Sequence, residues 1–118
     1  MRAKDAVGRY GERVAAAFLV ERGWQVLDRN WRGPSGELDI VALDGDVLVV
    51  VEVKTRTGDG FGHPAEAVTP AKLARVRRLA GQWLASHEVR PREVRIDVLA
   101  VRARGSGAAR VEHLVGVQ

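Results

Sequence analysis

The 118 residues include no cysteine, which excludes disulfides, iron–sulfur clusters and cysteine-based zinc sites. The three histidines, His63, His87 and His113, are scattered without metal-ligand spacing. No run of about 18 apolar residues occurs, so no membrane span is expected. The N-terminus, Met-Arg-Ala-Lys-Asp, leads into a pattern broken by Arg9, Glu12 and Arg13 rather than into a signal-peptide core, and a cytoplasmic protein is the default expectation. The glycine-rich stretch Thr55–Thr69 lacks phosphate-loop spacing, which argues against a nucleoside-triphosphate site there. Neither an internal repeat nor a dividing linker is visible, so a single domain over 1–118 is expected.

What is present points to a globular fold: 46% hydrophobic and 29% charged residues, in a chain long enough to bury a core. The net charge of +4 is unevenly spread. Residues 1–69 hold nine Lys/Arg against eleven Asp/Glu, whereas residues 70–118 hold ten against four. A basic second half suggests an anionic polymer, nucleic acid first, or else a well-solvated surface.

Taken in order, about Asp5 to Arg22 reads as a helix with Val7, Tyr10, Val14, Ala17 and Phe18 on its buried stripe and Gly23 as C-terminal cap. Glu12 lies well round from that stripe, close to Ala15, Ala16 and Leu19, as an exposed glutamate or one half covered by a neighbour. Trp24–Trp31 reads as a strand of imperfect alternation, and 32–36 as a loop by its Gly and Pro content. Two strands around Asp44-Gly45 follow, forming a hairpin. Val47–Val51 is apolar on both faces and marks a central strand. Thr69-Pro70 has the hydroxyl and proline of a helix start, and Leu73, Val76, Leu79, Ala80, Trp83 and Leu84 give that helix a buried side to about Ser86. Lys72, Arg75, Arg78 and Gln82 share another side, which either grips phosphates or is merely solvated. Glu93–Arg102 alternates as a strand, 104–109 is a loop, and Arg110–Val117 is a final edge strand. The predicted class is therefore α/β in α-β-β-β-α-β-β order, with a central mixed sheet flanked by helices.

The hairpin carries an unusual set of charges. With Asp44 and Gly45 as its loop residues, Leu43 faces Asp46 and Glu37 faces Glu52, and the period of two puts Glu37, Asp39, Glu52 and Lys54 on one sheet face. Three carboxylates there need a cation, a proton or a lysine to offset their repulsion. A cross-strand salt bridge of Lys54 with Glu37 or Glu52 is the plain alternative, but it leaves Asp39 and the other glutamate unexplained. An acid on one strand and Glu-X-Lys on the next suits metal-dependent phosphodiester cleavage. Hard carboxylate oxygens hold Mg²⁺, or Mn²⁺ as its substitute, and Lys54 two residues on orients water or stabilises developing negative charge.

The pieces Gly11-Glu12, Arg29-Asn30-Trp31-Arg32, Gly36-Glu37-Leu38-Asp39-Ile40, Val51-Glu52-Val53-Lys54-Thr55-Arg56, Phe61-Gly62-His63-Pro64, Glu66-Ala67-Val68, Lys72 and Arg95-Ile96-Asp97-Val98 occur in that order. In this ordered set, over about Gly8 to Val101, the chain resembles the bacterial UPF0102, or YraN, family. The resemblance implies a restriction-endonuclease-like core of the PD-(D/E)XK class, distantly similar to Holliday junction resolvases. It places site residues at Glu12, Asp39, Glu52 and Lys54, with Leu38 where the superfamily pattern has proline.

The leading expectation is a Mg²⁺-dependent DNA endonuclease, with branched or structured DNA as a candidate substrate. Asp39 and Glu52 would bind the metal, Glu12 would be an outer or second-metal ligand, and Lys54 would position water. Glu37 would be accessory. Arg56, Lys72, Arg75, Arg78, Arg29 and Arg32 are the candidate backbone-binding residues. RNA is a lesser variant of the substrate. A nucleic-acid-binding module of the same fold without catalysis is the alternative, and a structural domain with a solubilising basic face is a third. Cutting both strands asks for two sites, which raises a homodimer as an expectation.

Overall fold

The computed structural model describes residues 3–57, 68–103 and 107–117. Helix α1 (Ala3–Glu21) is followed by β1 (Gln25–Gly33), β2 (Gly36–Asp44), β3 (Val47–Thr57), α2 (Pro70–Ala85), β4 (Glu93–Ala103) and β5 (Arg110–Leu114). This is the α/β order read from the sequence. The strands form one mixed sheet in the spatial order β1-β2-β3-β4-β5, antiparallel except for the parallel β3–β4 pair. A parallel pair requires a crossover, and α2 lies in that connection. Much of the predicted loop Thr55–Thr69, with His63 and the pieces at 61–64 and 66–67, lies outside the described residues, as do 104–106.

The valine run at the start of β3 explains its central place. Val47 to Val51 are all buried, because odd positions face α1 and even positions face α2. Each such side chain contributes about 1.5–3 kcal/mol on leaving water. On the α1 side Val47, Val49 and Val51 meet Ala15, Leu19, Trp24 and Leu99; on the α2 side Leu48 and Val50 meet Leu73, Val76, Leu79 and Trp83.

Helix α1 ends in a Schellman turn. Gly23 has φ +86°, its N–H donates to the Val20 carbonyl, and the Trp24 N–H donates to the Leu19 carbonyl. Its buried line differs from the predicted one: Gly11, Ala15 and Leu19 are buried, Val14 and Phe18 are partly covered, and Ala17 is exposed. The rotation follows from close packing, since a Cβ on Gly11 would overlap the Thr55 side chain. Glycine alone lets the helix backbone approach β3 there, and Glu12 is thereby carried to the edge of the buried face.

The imperfect alternation of β1 comes from a register shift between Val26 and Asp28, which leaves neighbours Leu27 and Asp28 both toward α2: Leu27 packs in that core, and Asp28 Oδ2 accepts the Trp83 Nε1–H at 3.1 Å. The predicted loop at 32–36 shrinks to a turn at Pro34-Ser35, because Gly33 pairs with Gly36. Helix α2 clamps that tip: the Ser35 N–H donates to Gln82 Oε1 (3.3 Å), and Gln82 Nε2 donates to Ser35 Oγ (2.9 Å). Helix α2 itself starts as predicted. Thr69 is extended, and its hydroxyl oxygen accepts from the Lys72 N–H at 3.1 Å.

The β2–β3 hairpin is offset from the predicted register. Asp44 pairs with Val47 and Leu43 with Leu48, so Gly45-Asp46 form the turn, with Gly45 at φ +62°. The signs of φ are those of a turn with glycine at its first central position. Tertiary cations hold this choice. Arg92 binds Asp46 through backbone (2.8 Å) and side chain (3.0 Å), while Arg95 lies 4.0 Å from Asp44. The offset is two residues, so Glu52 and Lys54 keep their face and Asp39, rather than Glu37, becomes the residue level with Glu52. The predicted one-face set loses Glu37, because β2 alternation breaks between Leu38 and Ile40.

Candidate functional site

Strands β2 and β3 part company at one end of the sheet. Their pairing stops at Ile40–Val51, whereas β2 stays with β1 to Gly36 and β3 stays with β4 to Thr57. Asp39 stands where they diverge. Around it strict alternation fails: Leu38 packs into the α2-side core and Ile40, two residues on, into the α1-side core. Opposite it in β1, Asn30 adopts φ +54°, the left-handed region that asparagine tolerates better than most residues. Asp39 Oδ2 accepts the Val53 N–H at 2.9 Å, so a side chain takes up a strand amide beyond the last ladder pair.

Glu52 follows Leu48 and Val50 onto the α2 side of β3 and is only 9% exposed. One carboxylate oxygen, Oε1, lies 3.9 Å from Lys72 Nζ. The other, Oε2, is buried without a hydrogen-bond partner. Burial, then the charge of Asp39, pushes its pKa up to about 7 against the pull of Lys72, the Asp39 backbone N–H and Lys54. Asp39 is shifted upward too, first by burial, with its hydrogen bond from Val53 and the charge of Lys72 opposing. These are two adjacent carboxylates whose ionised forms lack enough compensation.

Two lysines face them. Lys54 comes from β3; burial, then Lys72 and Arg56, hold its pKa below the ordinary lysine range. Lys72 reaches in from the first turn of α2. It therefore belongs to the carboxylate cluster and not to an outer phosphate-facing stripe. Gln82, the other end of the predicted stripe, is occupied with Ser35. Arg75 and Arg78 are exposed, and Arg75 runs beside Gly36 at the hairpin tip.

Glu12 approaches from α1. Burial raises its pKa, a hydrogen bond with Asn30 opposes this, and the charges of Asp39 and Glu37 add to the rise. Asp39 and Glu52 come together as a pair. Among the described residues no group of three or more Asp, Glu or His side chains is disposed to hold a metal ion. Glu37 does not face Glu52: it pairs in register with Arg32, whose Nη2 lies 3.4 Å from Glu37 Oε2. The predicted charge crowding at Glu37 is thus answered by an exposed cation on β1. Arg29 is exposed and acts on Glu12, and Arg56 is exposed on the last part of β3.

Sequence reasoning missed two features. Asn30 is the Glu12 partner, and its signal is an asparagine inside a strand, where that residue is depleted. The second is Asp97, fully buried and bound by Arg95 (2.9 and 3.0 Å), His113 Nε2 (2.8 Å) and the Gly116 N–H (2.9 Å). Its signal is the Arg-X-Asp spacing, which places both side chains on one face of β4.

A model of the family described as "Uncharacterised protein family UPF0102" matches residues 11–101, which span α1 from Gly11, the β2–β3 fork and most of β4. Three relatives called UPF0102 protein resemble the chain over almost its full length. That of Beutenbergia cavernae is 65% identical, with 99% of each chain covered. That of Kineococcus radiotolerans is 61% identical, covering 99% of this chain and 97% of the relative. That of an Arthrobacter species is 57% identical with 99% of each covered. The chain belongs to the UPF0102 family.

Proposed function

We propose that this protein is a Mg²⁺-dependent DNA endonuclease that hydrolyses phosphodiester bonds at the β2–β3 fork, with branched or structured DNA among its substrates. The observation that carries the reading is the Asp39–Glu52 pair. Both carboxylates are raised in pKa by burial, Glu52 Oε2 has no partner, and two lysines stand beside them. A divalent cation fits this donor set. Mg²⁺ is commonly held by one or two carboxylates together with water and substrate oxygens, so a third acid is not required. Asp39 and Glu52 would hold the ion, with Glu12 and Asn30 behind Asp39.

When bound, the metal supplies Lewis-acid polarisation of the phosphoryl group and acidifies water. The remaining work belongs to the chain. Lys54, short of solvent and next to the pair, stabilises charge as it develops on the phosphoryl oxygens or holds the attacking water. Water adds to phosphorus and releases a proton to solvent, one P–O bond to deoxyribose breaks, and the leaving oxygen takes a proton back from solvent. Arg75, Arg78, Arg29 and Arg56 supply cations for the flanking phosphates, a sequence-independent and salt-sensitive contribution.

The test is cleavage of duplex, flap and four-way DNA by pure protein in Mg²⁺ or Mn²⁺. Asp39→Asn and Glu52→Gln are each expected to lower the rate by about 10³-fold or more, from the loss of a site that polarises phosphate and water together. Arg75→Ala combined with Arg78→Ala is expected to weaken binding evenly across sequences and flatten its salt dependence. A second reading, a nucleic-acid-binding module without catalysis, draws on the Lys72–Glu52 ion pair, which neutralises one carboxylate internally. Salt-dependent binding that survives Asp39→Ala and Glu52→Ala, with no cleavage by the unmutated protein, selects that reading.

A further inference from the structure

Lys72 occupies an odd position for a lysine. It is the third residue of α2, where the helix dipole disfavours a cation, and its backbone N–H is already committed to the Thr69 hydroxyl. Its side chain nevertheless reaches inward, being 22% exposed, and stops 3.9 Å from the oxygen of a glutamate whose side chain is 11% exposed. Lys54 is near enough for the charge of Lys72 to bear on it. The cluster therefore holds two carboxylates, Asp39 and Glu52, and two ammonium groups, Lys54 and Lys72. Without any ligand its formal charges cancel.

That balance has a consequence for what the fork admits. A divalent cation entering between Asp39 and Glu52 meets Lys72 against one of its two oxygens-bearing partners and leaves the cluster two charges positive in a poorly solvated place. A phosphodiester arriving with the cation removes part of that excess and gives the displaced ammonium a new acceptor. Cation alone and phosphate alone are each disfavoured, and the two together are favoured.

We propose that Lys72 is an interlock: it serves as the resident counter-ion of Glu52 in the free protein, and makes divalent-cation binding conditional on nucleic acid by moving from Glu52 to the phosphate. The proposal rests on the metal-dependent reading above and assigns Lys72 a positioning role within it. By linkage, whatever factor the nucleic acid adds to cation affinity the cation adds to nucleic-acid affinity.

The experiment measures Mn²⁺ affinity from the free-ion paramagnetic resonance signal, with and without a phosphorothioate DNA duplex that resists cleavage, subtracting Mn²⁺ taken up by the duplex alone. In the wild-type protein the duplex is expected to raise Mn²⁺ affinity at least about fivefold, the lower end of ordinary coupling between sites. Lys72→Met should bind Mn²⁺ tighter than wild type when free and show a much smaller gain with duplex. Lys72→Arg, which keeps the charge, should retain the coupling. If wild type and Lys72→Met bind Mn²⁺ equally, with Glu52→Gln abolishing binding in both, the interlock is overturned while the metal site stands. If neither binds Mn²⁺ with or without duplex, the metal-dependent reading falls and the interlock with it.

Discussion

Among the described residues acidic groups are buried in two places, and the fold treats them oppositely. Asp97 on β4 is surrounded by donors: both nitrogens of a guanidinium fork, a histidine and a backbone amide. Burial alone would raise its pKa, yet Arg95, then the Gly116 N–H and His113, bring it below the ordinary aspartate value. Asp39 and Glu52, across the sheet at the fork, are buried with fewer donors, and both rise. The first carboxylate holds β4 to the segment after β5. The second pair is left short of hydrogen-bond donors and of solvent, which costs stability and leaves capacity for a ligand. Burial of an acid therefore says little until its partners are counted.

The comparison breaks most sharply at Asp97. Asp97→Ala removes the acceptor from a largely buried guanidinium and is expected to cost about 3–5 kcal/mol, read as a lower midpoint in urea denaturation. Its pH signature follows from its depressed pKa: the stability it contributes is present above the unfolded aspartate pKa and is lost as pH falls below about 4. Removing it should leave divalent-cation binding at the fork intact at temperatures where the variant remains folded.

Glu52→Gln should do the reverse. In metal-free protein the raised pKa means that the folded state binds its proton more tightly than the unfolded chain does. Stability therefore falls as pH rises from the unfolded glutamate value towards about 7 and levels off above it. Removing the charge is expected to raise stability at pH 8 by on the order of 1–3 kcal/mol and to flatten that slope, alongside the loss of the proposed cleavage. Chemical denaturation across pH 5–8 in the presence of a chelator checks it. An equally steep slope in the variant would place the strain elsewhere.

The smallest expected effect concerns how α1 delivers Glu12. Gly11→Ala forces the helix away from Thr55 and is expected to cost about 1–2 kcal/mol after the gain in helix propensity. Because the displacement carries Glu12 from Asn30, metal affinity at the fork should weaken along with stability. Gly8→Ala, where nothing lies within 4 Å of the new methyl, is the control and should leave both unchanged or improved.

Much of this was legible beforehand. The helix start at Thr69-Pro70, the buried valine run of β3 and the α-β-β-β-α-β-β order were read from local chemistry, and local chemistry made them. Apolar periodicity puts the α1 stripe on Val7, Tyr10, Val14, Ala17 and Phe18, whereas the actual contact line runs through Gly11, which has no side chain to mark it. Asp44-Gly45 and Gly45-Asp46 are equally good turns by local chemistry, because Gly45 accepts a positive φ at either central position. Arg92 and Arg95, some 50 residues on, contact the turn that is formed.

What the sequence by itself determined is which residues of β3 share a face. A period of two is insensitive to a two-residue slip, so Glu52 and Lys54 kept their side of β3 even though the register moved. Only the tertiary structure decided that Glu37 turns to Arg32, that the β2–β3 ladder stops at Ile40, and that Lys72 and Glu12 reach the opening from two different helices. Those outcomes depend on where strands diverge and how closely helices sit, and these are set by contacts between residues distant in the chain.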